Sequence, residues 1–174
     1  MRRRGSALAA VALLPALLLL ARGSGEAGER RSVERTEELL VLTVKGPIQE
    51  VLTTLQAAIA RRNYFVAGIN HLDDTLRRRA ADLGRSFDFD HYKILSFCNL
   101  TLADEALAAD PAVGAFMPCR LVLFSRKGSP EVVILTMRPT FLARVFRSTE
   151  VQRLATRVEA DVVAILEMVA ADLP

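Results

Sequence analysis

The sequence predicts an α+β fold: an antiparallel sheet of four to five strands, two long helices packed on one face, and short helical insertions. Three observations lead there. Two apolar runs, "CRLVLFSRKG" and "EVVILTMRP", are joined by a Lys127-Gly128 turn and read as a hairpin. Long stretches with helical spacing lie near both ends of the chain. The loops between elements are short, as in sheets with helices segregated to one side. With 174 residues, 51% of them hydrophobic, the chain suits one core.

The first segment stands apart. Three arginines precede an uncharged, mostly apolar run from Ala7 to Ala21, and small residues follow. That is the order of a secretory signal. The run is shorter than the roughly 20 apolar residues of a spanning helix, and Pro15 interrupts it. Residues 1–27 are therefore expected to be removed, leaving a periplasmic or secreted protein with no membrane segment. Removal takes away four arginines and one glutamate. The formal +3 becomes 19 basic against 19 acidic residues. A neutral mature chain carries no nucleic-acid footprint.

Residues 28–38, "GERRSVERTEE", have little to bury and read as a charged linker. The domain proper is expected over 39–174. Leu39–Gly46 is a strand closed by Gly-Pro. Pro47 opens a helix in which Ile48, Val51, Leu52, Leu55 and Ile59 share a face. Tyr64–Leu72 is the next strand. Asp73 or Asp74 caps a short helix that Gly84 stops. Tyr92–Phe97 is a third strand. Thr101 and Asp104 start a helix that ends at Asp110-Pro111. After the hairpin, Thr149 and Gln152 fit a capping box before an apolar stripe: Val151, Leu154, Val158, Val162, Ile165 and Val169. Arg153, Arg157, Glu159 and Asp161 mark that helix's outer face.

Both cysteines bound one stretch, "CNLTLADEALAADPAVGAFMPC". Cys98 ends a strand and Cys119 begins another. If those strands are neighbours, the excursion is an elaborated hairpin and its ends come close. Three readings stay open: a disulfide, a metal, haem or redox-reactive thiol site, or two unpaired buried thiols. His71 and His91 are the chain's two histidines. With Met117 and Met137 they are candidate metal or haem ligands. There is no Cys-x-x-Cys-His, phosphate loop or nucleophile elbow. No catalytic residue is assigned, and whether the protein is an enzyme is left open.

The same stretch resembles the bacterial domain of unknown function 302. Members carry Cys-Asn-Pro, a helix with Leu-Ala and Asp-Pro, then Leu-Pro-Cys entering a hairpin. The corresponding residues are Cys98-Asn99-Leu100, Leu102-Ala103, Asp110-Pro111 and Met117-Pro118-Cys119. Leu100 replaces the proline, and Met117 stands where leucine is usual. The likeness covers about 64–141. It implies a β-α-β(4)-α fold similar to half of a TATA-binding-protein-like saddle, often a homodimer, and no settled reaction. The expected function is small-ligand binding or redox sensing, with Cys98, Asn99 and Cys119 at its centre. A non-covalent haem- or metal-binding electron carrier is the alternative.

Overall fold

The computed structural model describes residues 32–173. The expected signal segment, 1–27, lies outside them. A six-stranded antiparallel sheet runs in the order β1-β2-β6-β5-β4-β3. The strands are β1 (Glu34–Arg35), β2 (Leu39–Lys45), β3 (Phe65–His71), β4 (Phe89–Cys98), β5 (Cys119–Arg126) and β6 (Glu131–Met137). The helices are α1 (Ile48–Arg61), α2 (Leu72–Arg78), α3 (Ala80–Leu83), α4 (Leu100–Ala109), α5 (Pro139–Leu142) and α6 (Thr149–Asp172). Short 3₁₀ turns occupy Pro111–Phe116 and Ala143–Val145.

The expected class is observed, with one more strand than the four to five anticipated. The addition is β1, inside the segment read as a linker. Its two residues pair with β2, Glu34 opposite Val41 and Arg35 opposite Leu40. Charged side chains did not signal it, because its backbone completes an edge and its side chains stay exposed.

Alternation in β2, β5, β6 and the second half of β4 divides the sheet's faces. Leu40, Leu42, Val44, Leu95, Leu121, Leu123 and Ile134 are nearly or fully buried on one face. Against that face lie α1, through Val51, Leu55 and Ile59, and α6, through Leu154, Val162, Ile165 and Val169. The opposite face stays half-buried. There Tyr92 stacks on its cross-strand partner Phe124, with ring centroids 5.8 Å apart, and Phe89 meets both edge-on.

Two caps fall one or two residues from their expected places, and the cap expected at Asp73 or Asp74 is not made: α2 starts at Leu72 after His71 with no side-chain cap, and Asp73 accepts from Lys93 instead. The α6 cap is Ser148, whose Oγ accepts from the Val151 amide at 3.3 Å. The α4 cap is Asn99, accepting from the Leu102 amide at 3.1 Å. Asn and Ser lead the N-cap preferences. Glu159 is a further correction: it is 7% exposed and belongs to the buried face of α6.

Candidate functional site

The excursion between the cysteines roofs a cavity of about 410 Å³. Its roof is α4, the 3₁₀ turn after it and the Met117-Pro118 corner; its floor is the start of β5 and the end of β6; its back wall is α6. Two local causes make the space. The β5–β6 ladder is paired from Phe124/Val133 to Val122/Leu135 and then stops. Beyond it Thr136 Oγ1 donates to the Arg120 carbonyl at 2.7 Å, satisfying an acceptor that the ladder leaves. Second, the helices that face the hollow present small side chains, Ala103 and Ala106 from α4 and Ala155 from α6.

The lining is mostly apolar: Leu102, Val113, Met117, Leu142, Leu154 and Val158 among others, with Tyr64, Asn99, Arg120, Thr136 and the two cysteines as polar points. Phe116 meets Phe146 edge-on at 5.6 Å along the rim. Phe116 and Met137 line the hollow yet are 38% and 43% exposed, so apolar surface continues to its mouth. A concave apolar site of this size, with few polar points, is the usual form of a small-molecule pocket.

Cys98 and Cys119 both line this cavity and both are free. Of the three readings, the disulfide is not formed. The register pairs Phe97, not Cys98, with Cys119. In a pleated ladder, that one-residue offset starts the two Cβ vectors on opposite faces. Burial pushes the Cys119 thiol up to about 11, with the neighbouring Cys98 adding to it, and burial raises Cys98 too. Thiolate is the reactive form. Alkylation of Cys119 by iodoacetamide at pH 7 is therefore expected to run about tenfold slower than for a thiol at the ordinary value of 9.0, the smaller thiolate fraction being partly offset by its greater nucleophilicity. A rate matching that of free cysteine would contradict this environment.

Asn99 is a positioning residue. Besides capping α4, its Nδ2 donates to the Asn63 carbonyl at 3.1 Å, tying the start of the roof to the turn before β3. Tyr64 lies beside it, its ring 5.6 Å from Phe97 and its hydroxyl donating to Asp161 at 3.0 Å. Burial, and then the Asp161 carboxylate, push the Tyr64 phenol up, so it stays a donor.

The histidines stand elsewhere. His91 is near the start of β4 and Cys98 is its last residue. Seven extended residues separate them by about 23 Å. The structure therefore brings Met117 together with both cysteines, and neither His71 nor His91 with any of them. A haem held between a histidine and Met117 of the same chain has no place among the described residues.

His71, Asp73 and Asp74 do cluster, with ligand atoms within 4.8 Å of one another. Lys93 Nζ, however, lies 2.9 Å from each oxygen of the fully buried Asp73. Arg77 bridges Asp73 and Asp74 at 3.3 and 2.9 Å. These cations already neutralise the carboxylates, so the donor set does not fit a metal. Burial alone would raise Asp73; Lys93 and the amides of Tyr92 and Asp74 outweigh it and hold the carboxyl below 3.8. Glu159 behaves alike: burial opposes, and Arg138 with Thr140 hold it below 4.5. Between its folded and unfolded values each group binds more protons when unfolded. Their contribution is full above 3.8 and 4.5 and is lost as pH falls through the lower folded values. Urea midpoints should be flat from pH 7 to 5 and drop below about 4. A midpoint unchanged at pH 3 would contradict both assignments.

An α+β domain with one antiparallel sheet and a roofed apolar hollow defines the class. The family model for the domain of unknown function DUF302 matches residues 40–169, and the chain belongs to that family. The match extends the expected family core, 64–141, at both ends. The chain is similar in fold to the crystal structure of an uncharacterized conserved DUF302 protein from Bacillus stearothermophilus, with a TM-score of 0.67 and 22% identity. The likeness covers 75% of this chain and 96% of that one. No curated protein matches the chain.

Proposed function

We propose that this protein is an exported binding protein that holds a small apolar molecule in the cavity beneath α4. The observation that carries the reading is the cavity itself: apolar walls from three helices and two strand ends, with hydrophobic side chains continuing to its mouth. The cysteines contribute uncharged surface to it. Redox sensing fits less well, because both thiols are held protonated and off register.

Titration with Nile red, an uncharged solvatochromic dye, tests this. One saturable site with blue-shifted emission is expected. Fluorescence that rises without saturating, or not at all, would remove the reading. Export is supported by the arginines and apolar run of residues 1–27. Intact mass of protein recovered from its producing cells should lack that segment; a full-length mass would withdraw the export claim.

A homodimer belongs to the same reading. It is supported by the half-buried sheet face around Tyr92 and Phe124, which neither long helix covers. Light scattering should give twice the chain mass, and a monomer mass at micromolar concentration would remove it.

A further inference from the structure

We infer that the pocket takes a single-chain amphiphile with an anionic head, its chain in the apolar cavity and its head among Arg61, Arg62 and Arg157. This rests on the apolar-ligand reading above. A second hollow, of about 950 Å³, adjoins the first: Tyr64, Asn99 and Leu102 line both. It is the more polar of the two. Three arginines line it against one carboxylate, Asp161.

That carboxylate is committed, since it pairs with Arg62 and accepts from Tyr64. Arg61 and Arg157 reach acids only outside the lining, Asp172 at 3.4 Å and Glu105 at 3.5 Å. All four of these side chains are more than a third exposed. Such pairs contribute little and exchange readily for a ligand anion. Guanidinium recognises carboxylate and phosphate oxygens through paired donors. An uncharged ligand would leave this groove unused. An amphiphile with its chain in the first hollow and its head in the second would use both, meeting Asn99 on the wall they share.

The test compares decanoate, decyl phosphate and 1-decanol by displacement of Nile red from the full mature chain. At least one of the two acids is expected to bind tenfold or more tightly than the alcohol, and which one does names the head. In Arg157→Gln and Arg61→Gln the advantage of the acid over 1-decanol should shrink toward none. These are exposed positions, so folding is retained. Equal binding of acids and alcohol would overturn this inference and leave the apolar pocket standing. An advantage that survives both substitutions would also overturn it. Binding by none of the three would overturn both readings.

Discussion

Glu159→Ala is expected to destabilise the fold by about 3 kcal/mol, because it strands a partly buried guanidinium. Arg138 donates to Glu159 Oε1 through Nε at 3.0 Å and Nη2 at 2.8 Å. The other oxygen of Glu159 accepts from the Thr140 amide at 3.1 Å and from the Thr140 hydroxyl. The same arginine donates through Nη1 to the Thr36 carbonyl at 3.0 Å, and its amide to the Glu38 carbonyl at 2.7 Å. One ion pair thus joins the chain entering β2, the turn leaving β6 and the middle of α6. Urea midpoints of Glu159→Ala, Arg138→Ala and the double variant would measure it. The double variant should lose less than the sum of the singles, since the second truncation removes the unpaired charge. A loss below about 0.5 kcal/mol, the scale of ordinary surface changes, would contradict the network.

Ala103→Phe should abolish most ligand binding while sparing the fold. Ala103 is half-buried on α4 and lines the cavity. A phenyl ring there enters existing space, so the overpacking cost is expected to stay near 1 kcal/mol. Nile red affinity should fall about 100-fold, equivalent to about 2.7 kcal/mol. Wild-type affinity in a folded variant would move the site away from α4.

Much of this was legible in the residues. Alternation in β2, β5 and β6 and helical spacing in α1 and α6 are strong signals because one face of each is buried. The cysteine excursion was correctly bounded, and it does return to the neighbouring strand. The cavity was not legible. It arises where the β5–β6 ladder ends early and where alanines from α4 and α6 line the space, and neither follows from a local pattern. Of the three readings left open for the cysteines, the disulfide is disfavoured by a one-residue register offset that spacing cannot reveal.

Two buried charges did leave a trace. Lys93 falls in phase with Leu95 and Phe97 on the buried face of β4, and Glu159 lies three and four residues before Val162 and Val163 on α6. A charge in phase with an apolar stripe signals a partner, here Asp73 and Arg138. Sequence alone does not name that partner, because Asp73 is 20 residues from Lys93 and Arg138 is 21 from Glu159.

The most direct test of the central claim uses the methionine methyl groups. Met117 and Met137 line the cavity, while Met168 packs elsewhere against the core on α6. In a ¹³C-methyl spectrum titrated with 1-decanol, the Met117 and Met137 signals should move together and saturate, with Met168 still. A Met168 signal that moves alone, or three signals that never move, would contradict a ligand site beneath α4.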